Sequence, residues 1–317
     1  MARTFVSICL PALNGADYIA EAIDSALAQT HETFELVVVD NNSSDGTRDV
    51  VEGYDDARIR LIVNDGTVGA PENHNLAVRA ARGQLVKFLH HDDRLAPTCL
   101  ERMVPVFEEG AAVGLAFSRR EVLVDPADAD AVAWKERYGT VHEPLGPLER
   151  VNSGRTLLGR YLPALGGPLL PNFVGEPSSV MVRMSALDRV GLFTDRMRQS
   201  WDVELWLRIM ASFDVGFVDE PLALYRHHAA SLTQANAREN DDWLDLAWLY
   251  EGLLACEELG GARAPVRAHR RRETMRLARR AAGRVARRRG IGGLVRYAGH
   301  RAGRALGRRP ALHGWDG

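Results

Sequence analysis

Over the first hundred residues, short apolar runs alternate with stripes of apolar positions spaced at threes and fours. Phe5-Val6-Ser7-Ile8-Cys9-Leu10 is a run ended by Pro11, and from Asp17 to Ala28 the residues Ile19, Ala22, Ile23, Ala26 and Leu27 mark one face of a helix packed on a strand. The plan then repeats. Phe34 to Val39 predicts a second strand, followed by the polar stretch Asp40-Asn41-Asn42-Ser43-Ser44-Asp45-Gly46-Thr47 and a helix through Val51. Arg60 to Val63 predicts a third strand with a helix from Glu72 to Ala81, and Leu85-Val86-Lys87-Phe88-Leu89 a fourth. Four such alternations imply an α/β domain with a mostly parallel central sheet flanked by helices on both faces. Leu100 to Phe107 continues the pattern as helix and Val113 to Phe117 as strand.

From Asp125 to Asn172 the periodicity fades into a stretch rich in Pro, Gly, Asp and Ala, which predicts a long irregular insertion of the kind that serves as a lid or binding loop. Order returns with a strand over Pro177 to Val182, a helix over Asp202 to Met210 and a strand over Asp214 to Val218, before Pro221 and the polar run Tyr225-Arg226-His227-His228. Beyond Thr233 the spacing of Trp243, Leu246, Ala247, Tyr250, Leu253 and Leu254 is helical. We expect one domain over residues 1–235, with halves 1–120 and 121–235, and a helical, basic C-terminal extension over 236–317.

Charge is distributed unevenly along this plan. The net charge is −2, yet residues 262–309 hold 17 arginines and one acid, Glu273. Such a stretch can lie on anionic lipid, or it can be a helical cap whose arginines are solvated. Lysine occurs only at Lys87 and Lys135, so arginine identity by itself says little about phosphate recognition, and a nucleic-acid partner is not expected. Cys9, Cys99 and Cys256 form no CxxC pair, which argues against a disulfide framework or a zinc site and for a reducing compartment. Without a signal-like start or an apolar run of about 20 residues, a cytoplasmic location is expected, peripheral to the inner face of the cell membrane if 262–309 lies on lipid.

The fourth strand ends in His90-His91-Asp92-Asp93. A buried strand that delivers adjacent acids at its C-terminal end, where an α/β sheet keeps its ligand crevice, can hold a divalent cation; alternatively one acid caps the helix after Pro97 or closes a turn with Arg94. Asp40 ends the second strand on the same edge. It can accept a hydrogen bond from a base N–H or a ribose hydroxyl, or it can be a turn residue. Neither GxGxxG nor GxxxxGK[ST] occurs, which argues against a dinucleotide dehydrogenase or a P-loop NTPase, so a nucleotide here would be neutralised by a metal.

Several of these segments, in their order and spacing, resemble family 2 glycosyltransferases of the GT-A fold. They are Pro11-Ala12-Leu13-Asn14, Val37 through Asp40 to Thr47, Gly69 through Asn75 to Gly83, Phe88 to Asp93, Pro177 to Arg183, Gly191-Leu192-Phe193, Asp202 to Arg208 and Tyr225 to His228. The resemblance covers roughly residues 5–235. It implies a Rossmann-like sheet and transfer of a sugar, with inversion, from a nucleotide diphosphate sugar of UDP, dTDP or GDP type to a hydroxyl-bearing acceptor, using Mg²⁺ or Mn²⁺. It further implies that Pro11, Ala12, Leu13, Asn14, Asp40, Asn41, Gly69 and Asn75 line or support the nucleoside pocket. By the same resemblance His90 and His91 lie against the nucleotide sugar, Asp92, Asp93 and His228 form the metal side, and Asp202 is the catalytic base.

Two positions depart from the family pattern. His90 stands where the family often has an acid near the ribose, and an imidazole there can hydrogen-bond a hydroxyl or act as a ligand. Trp201 stands where the family often has Glu before the base; it offers a platform for a sugar face on the acceptor side, where Glu204 is also a candidate, or it simply packs. Two rivals follow. A sugar-nucleotide pyrophosphorylase would need a Gly- and Lys-rich N-terminal loop that Pro11-Ala12-Leu13-Asn14 does not supply. In a non-catalytic binding protein the basic tail would bind nucleic acid or membrane and the site would be inert, which the intact Asp92 and Asp202 argue against.

Overall fold

The apolar runs form β1 (Val6–Ala12), β2 (Phe34–Asp40) and β4 (Leu85–Phe88), each buried at every position, as strands covered on both faces must be. In the computed structural model, residues 4–163, 172–228 and 245–256 are described, together with 259, 263, 264, 266–268, 270 and 271. Trp243 and the arginine-rich stretch from 272 onward lie outside the described residues. Helices α1 (Ile19–Leu27), α2 (Thr47–Glu52) and α3 (Ala70–Ala80) connect the first strands, with β3 (Ile59–Val63) at the sheet edge.

The sheet runs β3-β2-β1-β4 in parallel and then changes character. The remaining strands are β5 (Arg94–Leu95), β6 (Val113–Leu123), β7 (Val151–Asn152), β8 (Val180–Arg183) and β9 (Asp214–Arg226). β8 inserts antiparallel between β4 and β6, β9 runs parallel to β6, and the short β5 and β7 lie antiparallel on β9. The parallel arrangement expected from the sequence therefore describes the first four strands in the order, and the second half is mixed. Alternation along the strands divides the core. Ile8, Leu10, Leu36 and Val38 pack with α1 and with Leu100 and Met103 of α4 (Cys99–Glu109), whereas Cys9, Val37, Val39 and Phe88 pack with Trp206 and Leu157 on the other face.

Two readings of the sequence need correction. β9 does not stop at Val218: it runs through Pro221 to Arg226, because the register against β6 shifts around Arg119, opposite Pro221, and an irregular ladder tolerates a residue without an N–H. Over its described residues 125–163, the insertion is not irregular either. It carries α5 (Ala129–Tyr138), capped by Asp128, and α6 (Gly154–Tyr161), capped by Ser153. α5 buries only Ala131, so it had no apolar stripe to read; Gly154, Leu157, Leu158 and Tyr161 of α6 do have helical spacing.

After α7 (Met184–Val190) comes α8 (Trp201–Ser212), buried along nearly its whole length. The helix Asp245–Ala255 packs on it, and the Asp245 carboxylate accepts the backbone N–H groups of Arg198, Gln199 and Ser200, which fixes the entry to α8. Within α8, Arg208 donates to both oxygens of Glu204 at 2.8 and 3.0 Å and to the carbonyls of Val190, Gly191 and Leu192. Glu204 is thus a core residue against Gly252, where a Cβ would come within 2.2 Å of its Oε1, and not an acceptor contact. Removing one partner of a buried, hydrogen-bonded ion pair costs about 3–5 kcal/mol. Glu204→Ala should therefore lower the urea midpoint markedly, while Glu52→Ala, which breaks the exposed pair with Arg48, should leave it unchanged; equal midpoints for the two variants would contradict this assignment.

Candidate active site

The C-terminal ends of β1 and β2 present two loops that lock onto each other. Asn14 and Asn42 hold φ values of 49° and 58°, a left-handed conformation that Asn tolerates better than most residues. Asn14 Oδ1 accepts the N–H of Ser44 at 2.9 Å, the N–H of Gly15 donates to Thr47 Oγ1, and that of Ala16 to Asp45. Asp40 is buried and accepts from the hydroxyl and N–H of Ser43. Pro11 and Ala12 lie within β1, Leu13 is exposed at its tip, and Gly69 precedes α3. Two expected pocket residues are engaged elsewhere. Asn41 clamps Val68 through both backbone groups and accepts from Asn64, and Asn75 pairs with the backbone of Phe193 in both directions at 3.0 Å. Their side chains brace loops because amide groups satisfy a backbone donor and acceptor together. Asn73, from the same helix, is the one that reaches the carbonyls ending β1 and β2.

The two acids that follow β4 divide their tasks. Asp93 is 1% exposed; its Oδ2 accepts from the Ser178 hydroxyl and its Oδ1 from the N–H of Arg226 at 2.9 Å. Burial, reinforced by the charge of Asp92, pushes its carboxyl well above the usual range despite these bonds. Asp92 accepts from His228 Nε2 at 3.0 Å through one oxygen, and its other oxygen has no protein partner among the described residues. Burial pushes the Asp92 carboxyl up, but the hydrogen bond from His228 and the nearby His91 and His90 outweigh it and hold the group below its ordinary value. Arg226 donates to the Asp92 carbonyl and to Glu21, and it lies 4.5 Å from the Tyr18 ring, so the end of β9 is fastened to α1. The His91 ring packs on Gly15, where a Cβ would approach it to 2.3 Å.

His90 is set by a residue with no signal of its own in the sequence. His74 is buried in α3, and burial, with His90 second, pushes its pKa down to about 3, so its ring is neutral. Its Nδ1 lies 2.8 Å from the Ala70 carbonyl and must carry the hydrogen, which leaves Nε2 as an acceptor. His90 Nε2, 3.1 Å away, is then the donor, and His90 Nδ1 keeps a lone pair 3.6 Å from Asp93 Oδ2. Such a second imidazole contact is how ligand tautomers are fixed. His90, Asp92 and Asp93 each offer a ligand atom, all within 4.8 Å of one another, and two carboxylates with an imidazole lone pair suit Mn²⁺ or Mg²⁺. Ser178 supports this group from the turn Pro177–Ser179, accepting the N–H of His90 while donating to Asp93. Lys87, fully buried in β4, donates to the carbonyls of Ser178 and Val180 and so holds that turn in place.

Asp202 lies in the first turn of α8, whose N-cap is Ser200, so it is not the cap. Its Oδ2 accepts from Asn172 at 2.8 Å and its Oδ1 from the N–H of Val203. Burial dominates, and with the charge of Glu176 it raises the carboxyl to about 7 against the hydrogen bonds that pull it down. Asn172 is itself held by Gly175, which adopts a φ of +99° open to glycine. Trp201 is 4% exposed and packs on His74 and Phe193 with ring centroids at 4.7 and 4.9 Å, so it is core and not a sugar platform. Sequence reasoning passed over His74, Asn172, Glu176 and Ser178 as site residues. Lys87 alone left a trace, as a charge inside an apolar strand.

A family model described as Glycosyl transferase family 2 matches residues 7–144. An uncharacterized protein of Mycobacterium tuberculosis is 36% identical over 253 residues, covering 78% of this chain and 76% of its own. Among solved structures, S. aureus TarS 1-349 in complex with UDP-GlcNAc has a TM-score of 0.59 at 16% identity, covering 80% of this chain and 68% of that one. The mannosyltransferase PcManGT from Pyrobaculum calidifontis, in complex with GDP-Man and Mn²⁺, has a TM-score of 0.54 at 18% identity, covering 98% and 82%. These likenesses carry the GT-A fold, a mixed α/β sheet between helices, and with the family match they make the chain a member of glycosyltransferase family 2.

Proposed function

We propose that this enzyme moves a sugar from a nucleotide diphosphate sugar to an acceptor hydroxyl by a single inverting displacement. The observation that carries this reading is Asp202, a buried carboxyl raised to about 7 that is tied through residues 172–178 to the acid pair at the end of β4. A carboxylate of that basicity can take the proton of an acceptor hydroxyl while its oxygen attacks the anomeric carbon and the bond to the diphosphate breaks. Asn172 and the Val203 N–H orient the base. Asp92 and His90 would hold Mg²⁺ or Mn²⁺, with Asp93 and His228 supporting them, and the ion when bound offsets the negative charge of the leaving diphosphate. Asp40 and the Pro11 to Asn14 loop would lie against the nucleoside. The UDP-GlcNAc of TarS and the GDP-Man and Mn²⁺ of PcManGT support a UDP- or GDP-type donor and a divalent cation here. The acceptor would be a hydroxyl of a glycan, a lipid-linked glycan or a small natural product.

Asp202→Asn should lower kcat about 100- to 10,000-fold with donor binding retained, and near-wild-type turnover would exclude the base assignment. In the wild type the rate should fall as pH drops below about 7, where Asp202 takes up its proton. Because the folded value lies above the ordinary 3.8, stability contributed by the protonated group is present in acid and is lost as pH rises through about 7. The thermal midpoint should therefore fall less between pH 5 and pH 8 in Asp202→Asn than in the wild type. An identical fall would mean that the carboxyl is not raised.

Lys87→Met keeps the volume of the side chain and removes its two hydrogen bonds. It should weaken binding of UDP or GDP in the presence of Mn²⁺ about tenfold, a loss of one properly held site. Unchanged affinity in calorimetry would show that the turn needs no such support. The arginines of 262–309 also support a peripheral contact with an anionic membrane, and among the described residues no helix is long and apolar enough to cross one. Sedimentation with phosphatidylglycerol vesicles at low salt, lost at high salt, is the expected result; no sedimentation at low salt would leave the stretch as a solvated cap.

A further inference from the structure

Residues 172–178 form a rail between the two chemical ends of the site. At one end Asn172 donates to Asp202; at the other Ser178 donates to Asp93 and accepts from the backbone of His90. Gly175 and the turn Pro177–Ser179 fix the backbone between them, and Glu176 lies in the middle, its carbonyl accepting the N–H of Ser179. If a diphosphate is held at Asp92 and an acceptor deprotonated at Asp202, the sugar passes between the two ends that this rail joins.

Glu176 is held in place by Arg120. Its Oε1 pairs with Arg120 NH1, and Arg120 cannot follow a moving partner. The other arm of Arg120 donates to the Tyr138 carbonyl at 2.6 Å, and its guanidinium lies 5.0 Å from the Tyr225 ring and 5.7 Å from that of Trp134. The Glu176 side chain is partly exposed; its second oxygen, Oε2, is buried and has no hydrogen-bond partner among the described residues, nor has Arg120 Nε. Unmatched buried acceptors on an otherwise anchored carboxylate are rare in native proteins and call for an occupant. The charge of Glu176 is felt by Asp202, His90 and Asp93 alike, as its central position requires.

We infer that Glu176 reads the transferred sugar, with its Oε2 accepting a hydrogen bond from one ring hydroxyl of the donor hexose, anchored for this by Arg120. This inference rests on the glycosyl-transfer reading and names a residue for donor specificity within it. A site built to accept a hydroxyl proton discriminates strongly against a sugar that lacks that hydroxyl, because the carboxylate is then left unpaired.

The test uses the full chain. UDP and GDP, then UDP-glucose, UDP-N-acetylglucosamine and GDP-mannose, are titrated with Mn²⁺ by calorimetry into wild type and Glu176→Gln, followed by the 3-, 4- and 6-deoxy analogues of whichever sugar nucleotide binds. Glu176→Gln should bind the bare nucleoside diphosphate within twofold of wild type and the intact sugar nucleotide at least tenfold more weakly. One deoxy analogue should bind both proteins equally well, which marks the hydroxyl that is read. A loss of the same size for the bare diphosphate and for every sugar would make Glu176 a structural partner of Arg120 and overturn the inference, as would no loss for any sugar. Should Glu176→Gln not fold, Glu176→Asp, which keeps a charge opposite Arg120 but draws back the carboxylate, carries the same comparison. If the wild type binds none of the diphosphates or sugars with Mn²⁺, the glycosyl-transfer reading itself fails, an outcome distinct from the others.

Discussion

The site depends on the burial of one carboxylate. Asp93 joins three stretches of chain that are remote in sequence: the end of β4, the turn before β8 through Ser178, and the end of β9 through Arg226. A carboxylate removed from water is tolerated only when its acceptor sites are used, and here two donors from two other segments use them. Because Asp93 is committed inward, its neighbour Asp92 is the acid that stays ionised with an oxygen to spare. Two adjacent residues of the same type thus take opposite roles, set by which way each faces from the strand end.

The mixed half of the sheet is what allows this arrangement. In an all-parallel sheet every strand would finish on the same edge, and the segment entering a strand would lie at the far side. β8 runs opposite to β4, so the chain entering β8 lies beside the chain leaving β4. That places Ser178 against Asp93, and the rail behind it reaches back to Asp202. Lys87 is the corresponding brace from within β4, where its ammonium donates to one carbonyl of the turn Pro177–Ser179 and one of β8. Burial lowers its pKa, so the position is retained at some electrostatic cost, which fits a role in holding geometry better than one in adding stability.

The strand ends were legible because their pattern is local. Continuous apolar runs closing in Asp40 and in His90 to Asp93 predicted both the edge and its acids, and Asp202 stood at the start of a helix with an apolar face. What could not be read are relations between side chains from separate segments. Asn41 and Asn75 occupy family positions but their amides turn to backbone groups, and Trp201 and Glu204 look available in sequence yet are enclosed by His74, Phe193 and Arg208. Pro221 misled for a physical reason: a proline ends a regular strand, but β9 meets it at a register shift. α5 left no stripe to detect because it buries almost nothing.

We propose that Asp92 presents a free oxygen to a divalent cation that a nucleoside diphosphate shares, while Asp93 holds the frame. Mn²⁺ electron paramagnetic resonance reads this directly, because free Mn²⁺ gives a sharp signal that broadens on binding. Titration of Mn²⁺ in the presence of UDP or GDP should show one bound ion per chain in the wild type and at least tenfold weaker binding in Asp92→Asn. Wild-type affinity for Mn²⁺ in Asp92→Asn would contradict the account.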